Sequence, residues 1–277
     1  MISSASKGTT QPVRSLADID EPAVRAWIET ALRHPETRGF LLCGSRVMGW
    51  AQPDGDYDGF LLVGDDHFRT LTMDQIEIRM MAEGETPKRL IGDFSTISER
   101  TLEEHLRSPL DIDHWPYMDA VVLHDPKGEV EIWRQRLAAF PADSMRERAV
   151  HKLIQLAIAY HYATVGDVRG FPMDRQLNLY RAALAGVHLW FTLQRRWAPP
   201  FKWLTRELDR LEARPDTRAV LEGAILNPSI ETLTHFRDHL KTEMKHAGIT
   251  EVDDILHAFF TSLLPEHRAA FYRNSYL

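Results

Sequence analysis

The sequence predicts an α+β protein: a mixed-sheet domain followed by an all-helical bundle. Three observations point there. Short apolar, β-like runs at residues 39–43, 59–63, 89–97 and 120–123 all fall in the first half of the chain. Beyond Pro141 the apolar residues recur at helical spacing. Strands early and helices late separate into successive layers rather than alternating βα units. The expected domains are therefore residues 1–141 and 142–277, with residues 1–17, polar and rich in Ser and Thr, as a flexible tail.

Asp20, with Pro22 just inside, marks a helix start, and Val24, Trp27, Ile28 and Leu32 share one face of that helix. The helix leads into the run 39–43, the turn Gly44-Ser45, a polar passage and the run 59–63. Residues 73–82 are expected to be helical and 84–87 a turn. The strand 89–97 carries one isolated acid, Asp93. Ser98 is placed to cap a helix over 100–107. The strand 120–123 closes in the turn Asp125-Pro126-Lys127-Gly128, and helical spacing resumes over 129–140. In the second half Val150, Leu153, Ile154, Ala157 and Ile158 form one apolar stripe, and Leu177, Tyr180, Leu184, Val187 and Phe191 another. Further helices are expected at 201–211, 217–226, 230–246 and 252–264.

Composition narrows the function. The chain has 277 residues, 44% hydrophobic and 26% charged, as in ordinary globular proteins. Its formal charge is −7 and no Lys/Arg run tracks a phosphate backbone, which argues against a partner of long nucleic acid. An acidic surface weakly favours a cationic small molecule through electrostatic steering. Cys43 is the only cysteine, which excludes an internal disulfide and a cysteine-based zinc site. It lies in an apolar run and is expected to be a buried thiol. The first residues lack an apolar signal core, and no window is long and apolar enough to span a bilayer. A cytoplasmic protein is the expectation.

The chemistry centres on residues 39–63. Asp56 and Asp58 would point to the same side of an extended segment, because strand side chains repeat every two residues. Two carboxylates that close repel each other unless a cation lies between them, and hard oxygen ligands suit Mg²⁺ or Mn²⁺. Gly44-Ser45 opens a short helix whose backbone N–H groups can face a phosphate. Together these describe a site for a metal-bound nucleoside triphosphate. An Asp/Gly surface turn ahead of a strand would give the same acidic spacing. The run DGDYDG also matches the start of a calcium loop, but its flanks are β-like and not the two amphipathic helices such a loop requires.

Gly44-Ser45, then ten residues, then Asp56-Tyr57-Asp58 resembles the signature of the DNA polymerase β-like nucleotidyltransferase superfamily. The resemblance is to its small bacterial members, including the aminoglycoside adenylyltransferases, and extends to Gly49 four residues after the serine. Gly55 stands where a serine often precedes the first aspartate. The resemblance implies a mixed-sheet catalytic domain with a helical domain closing the active-site cleft. It implies transfer of a nucleoside monophosphate from an NTP, most simply ATP, to a hydroxyl of an aminoglycoside-like or nucleoside-like molecule, with release of pyrophosphate. Acceptors such as tRNA or a protein, or a non-catalytic nucleotide-binding module, are the alternatives.

Asp56 and Asp58 are the expected shared metal ligands. A third acid is needed near the attacking hydroxyl; Asp93 fits, being a carboxylate in an otherwise apolar strand, and Asp119 is the runner-up. Nucleotide contacts are expected from Gly44, Ser45 and Arg46, and from Asn178, Arg181 and Lys202 in the helical half. Lys202 follows Pro199-Pro200 in a first helical turn, where the dipole disfavours a cation unless an anion is bound; an exposed lysine with a solvated head is the other reading. Asn178, Arg181 and His188 lie beside an apolar stripe, where an ordinary polar face would look the same. His151 and His161 read as satisfied histidines.

Overall fold

Apolar runs within residues 37–63 build two interior strands of the first unit. The computed structural model describes residues 11–262, and the chain divides into two units, Met1–Ala139 and Phe140–Leu277. In the first unit the order is α1 (Pro22–Leu32), β1 (Thr37–Cys43), α2 (Gly44–Met48), β2 (Tyr57–Val63), α3 (Asp65–Phe68), α4 (Met73–Ile76), β3 (Glu77–Met81) and β4 (Leu90–Ser98). It continues with α5 (Glu99–Arg107), α6 (Trp115–Met118), β5 (Val121–His124) and α7 (Glu129–Ala138). Among the described residues the strands form one five-stranded sheet in the order β3-β4-β2-β1-β5. It is mixed: β2 and β4 run parallel, and the other neighbours antiparallel.

The period of two sends each strand's apolar residues to both faces, and both are covered. Phe40, Leu42, Tyr57, Leu61, Val63 and Phe94 pack with Val24 and Ile28 of α1. Trp27 of α1 stacks on Phe94 with ring centroids 4.7 Å apart. On the opposite face Leu41, Cys43, Leu62 and Ile97 pack with Leu102 of α5, Tyr117 of α6, and Val130 and Leu137 of α7.

Two expectations for this unit need correction. Residues 73–82 are not one helix: a single turn, α4, gives way to β3, whose Ile78 and Met80 turn inward while Glu77, Arg79 and Met81 face out. Pairing with β4 favours the extended state over the local helix propensity of Glu, Arg and Met. The tail expected over residues 1–17 does not hold for residues 13–17, because Val13 is buried and its N–H donates to Arg46 O at 3.1 Å. The Asp18 carboxylate also accepts from the N–H groups of Arg14 and Ser15. Residues 1–10 lie outside the described residues.

Among the described residues the second unit is built of helices: α8 (Met145–Val168), α9 (Pro172–Leu193), α10 (Leu204–Arg210), α11 (Pro215–Leu226), α12 (Ile230–His246) and α13 (Val252–Ser262). The last two residues of the expected helix 252–264 lie outside the described residues. The stripe expected on α9 holds only towards its C-terminal end, where Val187 and Phe191 are buried. Leu177 and Tyr180 are 60% and 45% exposed, and the buried face also takes in Leu179, Ala182, Ala183, Gly186 and Trp190. Small residues bring this helix close to its neighbours: a Cβ on Gly186 would lie 2.8 Å from Phe236 Cζ of α12 and 3.1 Å from Leu156 Cδ1 of α8. The α+β order, sheet first and bundle second, is the one the sequence predicts.

Phe236 is fully buried at that three-helix junction. Phe236→Ala is expected to destabilise the second unit by about 3–5 kcal/mol, because the fixed helices cannot collapse into the cavity. A shift of the denaturant midpoint, followed by circular dichroism of the helices, measures it; an unshifted midpoint would remove Phe236 from the core.

Candidate active site

Strand register assembles the acids. Cys43 of β1 lies opposite Asp58 of β2, Asp58 pairs with Asp93 of β4, and Asp93 pairs with Arg79 of β3. These four residues form one row across four strands. Asp58 shares a face with Leu62 and Asp93 with Ile97, since residues two and four apart point the same way. The row therefore lies on the sheet face that α5, α6 and α7 cover elsewhere. It runs from a buried thiol, through half-buried carboxylates, to an exposed guanidinium. Asp56 is half-buried one residue ahead of β2, so it keeps the two-residue spacing to Asp58.

The Gly44 turn fits against Asp58. Gly44 has φ +74°, and a Cβ there would lie 2.9 Å from Asp58 Cγ and closer still to Oδ2. Glycine is required on both counts: the left-handed backbone and the carboxylate against its Cα. The turn leads into α2, which ends at Gly49, also left-handed at φ 70°. Ser45 is buried, and its carbonyl accepts from Trp50 N at 2.9 Å and Ala51 N at 3.2 Å, which folds the following loop back.

Arg46, expected to bind nucleotide, is placed elsewhere. Its side chain is 5% exposed, and it donates from Nε to Gly55 O at 3.1 Å and from Nη2 to Gly55 O and Pro53 O at 2.6 and 3.1 Å. The guanidinium also lies over the Tyr57 ring, 4.7 Å from its centroid. Arg46 thus pins the carbonyls of the turn that delivers Asp56, and acts as a positioning residue. Tyr57 is fixed in turn by Asp20: its hydroxyl donates to Oδ1 at 2.5 Å and accepts from Asp20 N at 3.1 Å. Burial, then that hydrogen bond, raises the Tyr57 pKa. A cavity of about 430 Å³ opens beside this turn, lined by Asp20, Arg46, Asp54, Tyr57 and Arg89 among others.

Behind the row Cys43 and Tyr117 are buried. Burial, and secondarily the charge of Asp58, pushes the Cys43 thiol well above its ordinary range, so it is neutral. Tyr117 is likewise raised, by burial first and then by Cys43. Its hydroxyl lies 2.9 Å from His105 Nδ1, and its ring stacks on Phe60. Burial holds His105 below the ordinary imidazole value. The carboxylates therefore face outward from a neutral wall.

Asp119 sits on the other side of Asp58. It precedes β5, which pairs with β1, and its charge helps to raise the Arg134 pKa after the larger effect of Glu131. The register thus brings Asp93, and not Asp119, beside Asp58. Hard oxygen donors on adjacent strands suit a divalent cation, and Gly44 backs one of them. Among the described residues no group of three or more His, Cys, Asp or Glu is placed to share an ion. Asp93 instead lies 3.9 Å from Arg79 Nε.

The remaining expected residues belong to the second unit. Asn178 and Arg181 lie on α9, where Arg181 Nη1 donates to Asn178 Oδ1 at 3.4 Å and Asn178 Nδ2 donates to Asp174 O at 2.8 Å. Arg181 and His188 are two turns apart on one side of the helix. His188 meets Phe201 edge-on at 5.9 Å, and the exposed Lys202 follows in a single 3₁₀ turn, its Nζ 5.5 Å from the Trp203 ring centroid.

Arg46→Met is expected to cost about 2–3 kcal/mol, the range for buried hydrogen bonds to a charged donor, since Gly55 O and Pro53 O lose their partner. It should also loosen the turn before Asp56. Chemical denaturation, with hydrogen exchange over residues 52–58, checks both; a stable variant with unchanged exchange would deny Arg46 its positioning role.

A family model described as a domain of unknown function (DUF4037) matches residues 116–204, well under half of the chain. That stretch contains Asp119, Asn178, Arg181 and Lys202 and none of the acids at Asp56, Asp58 and Asp93. No curated protein matches the chain. Among solved structures it is similar to a nucleotidyltransferase-like protein from Exiguobacterium sibiricum 255-15, at 14% identity and a TM-score of 0.47. That match covers 82% of this chain and 76% of the other. Among the described residues no helix is long and apolar enough to cross a membrane.

Proposed function

We propose that the chain is a metal-dependent nucleotidyltransferase that transfers a nucleoside monophosphate from an NTP, most simply ATP, to a hydroxyl of a small molecule. The observation that carries this reading is the pairing of Asp58 with Asp93 on parallel strands, with the Gly44 turn fitted against Asp58 and Asp56 two residues before it. A surface Asp/Gly turn would not need a glycine packed on a carboxylate or a buried arginine holding its carbonyls.

Asp56 and Asp58 would hold Mg²⁺ or Mn²⁺, with Asp93 as the third ligand. Divalent cations there would acidify the attacking hydroxyl and neutralise charge on the phosphates. Gly44 and Ser45 would present backbone N–H groups to the triphosphate. Asp93, beside Asp58 and half-exposed, would take the proton of the acceptor hydroxyl. The hydroxyl oxygen then bonds to the α-phosphorus, the bond from that phosphorus to the bridging oxygen breaks, and pyrophosphate leaves with the electron pair. Arg181, Asn178 and Lys202 are the second unit's candidates for the nucleotide. Cys43 and Tyr117, both held protonated by burial, leave the rear of the site uncharged.

Asp56→Asn and Asp58→Asn are each expected to reduce turnover by at least about a hundredfold, as loss of a charged group acting only in the transition state does. Neither should lower the melting temperature, because each relieves repulsion between neighbouring acids. Pyrophosphate release with Mg²⁺, the four NTPs and an acceptor panel measures the first, and calorimetric melting the second. Tight nucleotide binding with no turnover on any small molecule, tRNA or lysate protein would replace the reading by a binding module. A variant with near wild-type rate would take that aspartate out of the metal set.

A further inference from the structure

We propose that Arg79 determines acceptor specificity, selecting a molecule that carries an oxyanion, as phosphate or carboxylate, close to the hydroxyl that reacts. The inference rests on the nucleotidyl-transfer reading, in which Asp93 faces that hydroxyl.

Strand register fixes where Arg79 is. It pairs directly with Asp93 on the edge strand β3, next in the row after Asp58. Its side chain is 68% exposed, and its ion pair to Asp93 is loose: Nε lies 3.9 Å from Oδ1, beyond hydrogen-bond reach. Among the described residues this is the only ion pair of Arg79, so both Nη groups remain available. A guanidinium whose two terminal nitrogens face open space fits a bidentate oxyanion, and a lysine at the same place would not offer that fork.

The charge pattern of the row leads to the same conclusion. A hydroxyl placed to lose its proton to Asp93 has Arg79 as its other neighbour. A polyamine-like acceptor would bring a cation against that guanidinium at the reacting centre. An oxyanion on the acceptor would instead pair with Arg79, release Asp93 from its loose partner and leave it to accept the proton. The chain's formal charge of −7 acts as a diffuse field, screened beyond ~8 Å at physiological ionic strength, whereas Arg79 acts in contact. With the carboxylates of the row assigned to the metal ions, Arg79 is the group left to meet the acceptor in contact, and the cationic acceptor expected from composition gives way to an anionic one. The bonds exchanged are those of the reaction above: the acceptor's oxygen–phosphorus bond forms, its proton passes to Asp93, and pyrophosphate departs.

Matched acceptors test this: glycerol and glycerol 3-phosphate, ribose and ribose 5-phosphate, glucose and glucose 6-phosphate, with kanamycin as the cationic comparison. Each is assayed with Mg²⁺ and the four NTPs on wild type, Arg79→Ala and Arg79→Lys, following pyrophosphate and the mass of the product. In wild type the phosphorylated member of at least one pair is expected to show a tenfold or greater advantage in kcat/KM. Arg79→Ala should shrink that advantage at least tenfold through KM, and Arg79→Lys should restore part of it. Preference for neutral or cationic acceptors, or a phosphate advantage that survives Arg79→Ala, would overturn the proposal. Nucleotide binding by calorimetry without turnover of any phosphorylated acceptor would also overturn it, while sparing the nucleotide site. Absence of nucleotide binding would overturn the reading beneath it.

Discussion

Two carboxylates on adjacent parallel strands, level with each other, repel; the arrangement of the first unit follows from keeping them there. Asp58 and Asp93 are paired by the ladder itself, so neither can move away without breaking strand register. The wall behind them cannot relieve the repulsion, since the neighbouring Cys43 is buried and neutral. On the open side Asp93 makes a loose contact with Arg79. A site held this way has negative potential that a cation can take up without dismantling a strong ion pair.

Accurate placement of the first acid depends on a second set of contacts, made to backbone carbonyls, an aromatic ring and the Asp20 carboxylate. Arg46 is a buried charge that would be costly without partners, and it acquires them from Gly55, Pro53 and the Tyr57 ring. Tyr57 in turn ties the start of β2 to Asp20 just ahead of α1. The helix packed on one sheet face thus fixes the position of a turn that presents Asp56 next to the other face. Rigid support of this kind is what an ion site or a phosphate turn needs, because errors of about half an ångström weaken both.

The legible parts of the sequence are those whose signals are local. Gly44-Ser45 and Asp56-x-Asp58 lie close in sequence, and both the left-handed glycine and the two-residue spacing are chain properties. Ser98 as a cap and the helix Ile230–His246 are equally local. What the sequence hides are decisions made by distant partners. β3 has five residues, too few for alternation to outweigh the helical character of Met73 to Met81, and only pairing with β4 reveals it. Arg79 therefore carries no signal of its own in the sequence. Arg46 reads as a phosphate-facing cation because burial of its guanidinium depends on carbonyls seven and nine residues away. On α9 the larger apolar residues suggest one stripe, whereas the packed face mixes large residues with alanine and glycine, whose value lies in close approach rather than hydrophobicity.

The central claim is that Asp56, Asp58 and Asp93 form a cation site at one end of the sheet. Crystals soaked in Mn²⁺ with a non-hydrolysable nucleotide, measured at the manganese absorption edge, test it most directly. The account expects anomalous density bridging the Asp56 and Asp58 carboxylates, with Asp93 turned from Arg79 towards it. Manganese bound elsewhere, or none beside these carboxylates while nucleotide is bound, would contradict it.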